Sequence, residues 1–126
     1  MKLIKTLALG AALLVSSWVQ ALTVTPYSAD ALAKAQAAGE PVALHFHADW
    51  CPTCRAQDQA LEVLKSDAGL NIVVLKVDYD KEVDLKRRLK VRSQSTFIVY
   101  RGKTETNRQI GATAPEAIRA ALRSAL

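Results

Sequence analysis

Hydrophobic and polar positions alternate along the chain in blocks whose periods name the elements. Leu22 to Thr25 reads as a short strand, ended by Pro26. Ser28 is a good N-cap for the alanine-rich stretch Ala29 to Ala38, which Gly39 and Pro41 end. Residues 42–47 (VALHFH) alternate and favour β structure, placing Val42, Leu44 and Phe46 on one face. A helix is predicted from Cys51 to about Lys65, with Ala60, Leu61 and Leu64 turned inward. Residues 71–78 (NIVVLKVD) are almost continuously apolar, as in a strand covered on both faces. Asp80 to Lys90 reads as a polar helix with Val83 and Leu89 inward. Thr96 to Tyr100 and Thr104 to Ile110 flank Arg101-Gly102-Lys103, a spacing that suits an antiparallel hairpin. Thr113 is expected to cap a last helix, with Pro115 in its first turn and Ile118 and Leu122 on one face.

The resulting order is β-α-β-α-β-α-β-β-α. Strands separated by helices and closed by a hairpin imply an α/β fold with a central mixed sheet and helices on both faces. There is no internal repeat and no linker, so one domain is expected.

The first residues follow a different pattern. Lys2 and Lys5 are followed by an apolar run from Leu7 to Val15, and Val19-Gln20-Ala21 offers a cleavage site. The run is short for a membrane span. Residues 1–21 are therefore expected to be a cleaved signal peptide and residues 22–126 a domain working in the periplasm, an uncleaved anchor being the other reading.

Composition adds bounds. Of 126 residues, 50% are hydrophobic, enough for one core. The formal charge of +5 becomes +3 without Lys2 and Lys5. The one dense basic cluster, Lys86, Arg87, Arg88, Lys90 and Arg92, reads as a solvated helix face or a steering surface for an acidic partner. Aromatic residues make up 6%, and no nucleic-acid motif accompanies the charge, so nucleic acid is not an expected partner.

Cys51 and Cys54 are the only cysteines. Export would place them where disulfides persist, but a loop closed over two residues removes little entropy from the unfolded chain. A purely stabilising role is disfavoured. A redox couple and a soft-metal clip, using Cys51, Cys54 and either His45 or His47, both stay open. At a helix N-terminus, the Cys51 thiolate can accept from unpaired N–H groups, and Pro52 lacks only an N–H that would be orphaned there. The helix end contributes about 0.3–1 kcal/mol, up to ~2 when partly buried, which lowers the thiol pKa by roughly one. Thr53 adds a hydroxyl and an N–H. Cys54, one turn further in, is shielded; Cys51 is therefore expected to be the exposed, attacking nucleophile and Cys54 the resolving thiol. The activation predicts a middling redox poise.

The pattern from Phe46 to Cys54 (FHADWCPTC) resembles the strand, Trp-Cys-x-x-Cys and helix of the thioredoxin superfamily. Val77-Asp78, the stretch from Thr96 to Gly102 and Ile110-Gly-Ala112 resemble its following strand, hairpin and the segment before its last helix. The resemblance implies the thioredoxin fold and thiol–disulfide exchange, with Trp50 shaping the rim of the site. Several positions depart from the family. Ser95 stands where the family has a cis-proline facing the cysteines. A cis bond before a non-proline costs about 2.5–4 kcal/mol, so a trans bond is expected, and Gln94, Ser95 and Thr96 are expected to line the site. His45 and Val74 stand in place of a buried acid and a lysine. His45 is either a base for Cys54 or a hydrogen-bonded core residue. His47 replaces a strand-end tryptophan beside the motif, and Gln59 a helix-kinking proline.

The function implied is thiol–disulfide exchange, with a reductase or electron carrier ahead of an oxidase or isomerase and of the soft-metal module. No cofactor is expected. Client proteins carrying disulfides and a membrane-bound thiol–disulfide electron donor are the expected partners, and a monomer the expected state.

Overall fold

The computed structural model describes residues 10–14 and 21–126. The expected leader over residues 1–21 falls mostly outside them. Among the described residues no helix is long and apolar enough to cross a membrane. Nine elements follow in the order β1 (Thr23–Pro26), α1 (Ala29–Ala37), β2 (Pro41–His47), α2 (Pro52–Leu64), β3 (Val73–Asp78), α3 (Val83–Leu89), β4 (Thr96–Arg101), β5 (Thr104–Ile110) and α4 (Pro115–Arg123). The five strands form one sheet, ordered β1-β3-β2-β4-β5. β1 and β2 both run parallel to β3, whereas β4 is antiparallel to β2 and to β5. This is the thioredoxin fold.

Alternation along β2 builds the two layers. Val42, Leu44 and Phe46 pack with Leu75, Val77, Ile98 and Leu85 beneath Leu32 and Ala35 of α1. Ala43, one pleat over, faces the other layer, where Val74, Phe97 and Val99 meet Leu61 and Leu64 of α2 and Ile118 and Leu122 of α4. Hence α1 and α3 cover one face, and α2 and α4 the other. The site forms at the C-terminal end of β2, between α2 and the loop entering β4.

Four local expectations change. Pro26 is the last residue of β1, paired with Lys76, rather than its terminator. β1 is an edge strand, so a residue without an N–H fits there. Val83 does not face inward: it is 50% exposed, and Leu85 is buried in its place. The Asp78 carboxylate accepts from the N–H groups of Asp80 and Lys81. That local turn delays α3 to Val83 and shifts which residues face the sheet. Thr113 is not the cap of α4. The N-cap is Ala114, extended at φ −69° and ψ 131°, with no side-chain bond. Pro115 at N1 disfavours helical geometry at the residue before it, which sets the boundary. Lastly, Cys51 is only 2% exposed, not the open thiol expected, because Ser95 lies against it.

Candidate active site

Cys51 is the N-cap of α2. Its Sγ accepts the N–H of Cys54 at 3.1 Å, and its carbonyl accepts from Arg55. A sulfur therefore occupies the position usually held by a serine or aspartate oxygen. Pro52 is exposed at N1 and Thr53 half-buried behind it. Cys54, fully buried, faces Ala48 and Cys51, and both thiols are free.

The loop before β4 closes over the pair. Ser95 Oγ is 3.2 Å from Cys51 Sγ and 3.2 Å from Cys54 Sγ. Ser95 has φ 66°, left-handed, and no peptide bond among the described residues is cis. The two thiols feel these surroundings in opposite directions. Desolvation pushes the Cys51 pKa up, but hydrogen bonds from Cys54, the Ser95 hydroxyl and the N–H groups of Cys54 and Thr53 outweigh it and hold the thiol below its ordinary value. Burial raises the Cys54 pKa, and sharing with Cys51 raises it further, with Ser95 opposing. Cys51 is therefore the more readily deprotonated of the two, and Cys54 the one that holds its proton.

The Nε2 atoms of both histidines are bonded away from the thiols, while the buried Nδ1 of His45 has no hydrogen-bond partner. His45 is fully buried and stacked on Phe97 at 4.2 Å between centroids. Its Nε2 lies 2.8 Å from Gln57 Oε1, and no hydrogen bond joins the ring to either sulfur. His47 Nε2 meets Asp58 Oδ2 at 2.8 Å, and Lys76 Nζ reaches the same oxygen at 3.3 Å. Neither histidine thus offers Nε2 to the thiols. Trp50 is 58% exposed at the rim and donates from Nε1 to Asp80 at 2.8 Å. Beside it opens a cleft of about 380 Å³ lined by His47, Trp50, Lys76 and Asp80 among others, but by neither cysteine. Gln94 is half-buried next to Ser95, and the buried Thr96 bonds through Oγ1 to the Ser93 carbonyl at 2.8 Å.

Sequence reading missed Gln57 and Asp58. Gln57, fully buried, donates through Nε2 to the carbonyls of Ser95 (3.1 Å) and Ala112 (3.0 Å). A signal was available: positions 54, 57, 58 and 61 share one face of a helix, so polar residues at 57 and 58 stand beside the inner cysteine.

A family model described as Thioredoxin matches residues 22–124. The crystal structure of Trxlp from Edwardsiella tarda EIB202 superposes with a TM-score of 0.72 at 37% identity, covering 80% of this chain and 97% of that one. Thioredoxin-1 of Drosophila yakuba is 37% identical over 71 residues, 56% of this chain and 63% of its own length. Thioredoxin 2 of Plasmodium falciparum is 38% identical over 63 residues, 50% of this chain. The chain spans 40% of the latter's length, so under two thirds of each of these two curated relatives is matched. Sheet order, the helix-capping cysteine and the span of the family match lead to one placement: the chain belongs to the thioredoxin family.

Proposed function

We propose that this protein is an exported thiol–disulfide oxidoreductase that works as a reductase through the Cys51–Cys54 couple. The observation that carries the reading is the division of labour within the pair. Cys51 caps a helix and is held toward thiolate, while Cys54, one turn inside, keeps its proton. The Cys51 thiolate attacks a client disulfide, expelling one client sulfur and forming a mixed disulfide. Cys54 then attacks Cys51 Sγ and releases the second client sulfur, so the client gains two electrons and the pair becomes a disulfide. A second dithiol protein must return those electrons; a membrane-bound donor fits the exported location that Lys2, Lys5 and the Leu7–Val15 run suggest.

The reading predicts that catalytic amounts speed dithiol-driven insulin reduction and that Cys51→Ser abolishes this. Wild-type turnover no better than that of the variant would sink it. Direction is tested separately by the reduction potential: a value below that of the glutathione couple supports a reductase, and one above it an oxidase. Export is tested by expressing the full chain and sequencing the N-terminus of the periplasmic fraction, which should begin at Leu22.

A further inference from the structure

The resolving step needs Cys54 to lose a proton inside the protein, where its charged form is disfavoured by burial. His45 makes no hydrogen bond to either sulfur. The group that reaches both is the Ser95 hydroxyl, at 3.2 Å from each. A hydroxyl has one proton to donate and lone pairs with which to accept. It can donate to one sulfur while accepting from the other, and can exchange those roles by rotation.

Its placement is over-determined. The Ser95 N–H donates to the Phe46 carbonyl at 2.8 Å. Its carbonyl accepts from the Gly111 N–H at 3.0 Å and from Gln57 Nε2 at 3.1 Å. These bonds hold a non-glycine residue at φ 66°, a sparsely populated conformation that persists only where the surroundings enforce it. The side chain held this way is 4% exposed, so water does not compete freely for the two sulfurs.

We propose that the Ser95 hydroxyl is a catalytic proton bridge, donating to the Cys51 thiolate in the resting dithiol and relaying the Cys54 proton during resolution. The inference rests on the dithiol–disulfide reading above. In the first step the Cys51 electron pair bonds to one client sulfur, and the other leaves as a thiolate that takes a proton from solvent. In the second, Cys54 gives its proton to Ser95 Oγ while the Ser95 hydroxyl proton passes to the departing client sulfur. The Cys54 electron pair bonds to Cys51 Sγ, and the electrons of the mixed disulfide leave with the client. The client disulfide ends as two thiols, the cysteine pair as a disulfide, and Ser95 as the hydroxyl it began.

The test uses Ser95→Gly, which removes the hydroxyl and accepts positive φ without strain, and Ser95→Ala as a second hydroxyl-free variant. Wild type and variants are mixed with a fluorogenic peptide carrying one disulfide. The pH profile of Cys51 alkylation is followed in parallel, and the mixed disulfide is trapped by acid quench and timed by mass spectrometry. Both variants should shift the alkylation midpoint upward by roughly one pH unit. Their mixed disulfides should persist about tenfold longer or more, while Ser95→Gly melts near the wild-type temperature. Unchanged lifetimes in the variants, with normal wild-type peptide reduction, would overturn the relay and leave the oxidoreductase reading intact. Failure of the wild type itself to reduce the peptide would instead remove that reading.

Discussion

His45 lies beneath the cysteine pair, hydrogen-bonded to Gln57 rather than to either sulfur. Burial holds its pKa down at about 4 from an ordinary 6.5, against the pull of the Gln57 hydrogen bond and the Asp58 carboxylate, with His47 and Lys76 adding to the depression. The ring is neutral at pH 7. It stacks on Phe97 and meets Gln57, which in turn holds Ser95. The consequence for stability has a definite sign. The unfolded chain takes up a proton at this site below about pH 6.5, and the folded chain only near 4. Stability is therefore full above 6.5 and is lost as pH falls toward 4, by up to about 3 kcal/mol at the lower end. Urea unfolding between pH 7 and 4 should show this slope in wild type and a shallower one in His45→Gln. Equal slopes would show that the buried ring does not govern the acid limb.

At the scale of elements, α2 is organised around a cap, Cys51, that is also the proposed nucleophile. Serine is among the best N-caps, so Cys51→Ser should lose activity yet melt within a few degrees of wild type, to judge from cap energies of about 1 kcal/mol. A large drop in melting temperature would mean that the sulfur does more for the helix than accept the Cys54 N–H. The end of α3 offers the opposite case. Lys90 closes it in the left-handed conformation, φ 57°, with its N–H turned back to Arg87 and Lys86. Glycine takes that conformation without a Cβ clash. Lys90→Gly should accordingly stabilise the protein by about 1 kcal/mol in chemical unfolding, and a loss would show that the lysine side chain contributes contacts that outweigh the strain.

The whole molecule couples the site to its core through the layer that joins α2 and α4 to the sheet. Leu122 of α4 is fully buried in the cluster containing Leu61 and Leu64, on the helix that carries both cysteines. Leu122→Ala should reduce stability by about 2–5 kcal/mol, measured by denaturant midpoint. The reduced thiols should then be alkylated faster at neutral pH than in wild type, because local opening of α2 becomes more frequent. Unchanged alkylation alongside the stability loss would place the opening of the site elsewhere. The basic cluster from Lys86 to Arg92, by contrast, lies largely on solvent: Arg87, Arg88, Lys90 and Arg92 are exposed, and Lys86 covers the Tyr79 ring at 3.7 Å.

Much of this was legible from local pattern. Period-2 alternation in residues 42–47, the apolar run of β3, and the Ser28, Gly39 and Pro115 punctuation specified elements and topology, because each signal depends on residues a few positions apart. The helix-start spacing of Cys51, Pro52 and Cys54 likewise announced a thiol pair at a helix terminus. Where a local competitor won, boundaries moved: the Asp78 turn displaced α3, and Pro115 took the boundary of α4 from Thr113. What only the tertiary structure decided is which distant groups meet the sulfurs. Ser95 reaches Cys51 across 44 positions and Cys54 across 41, through the antiparallel register that sets Phe46 against Thr96. Gln57 reaches Ala112 across 55. Periodicity says which face a side chain takes, but strand register and helix docking determine what stands opposite, and these follow from packing the entire core at once.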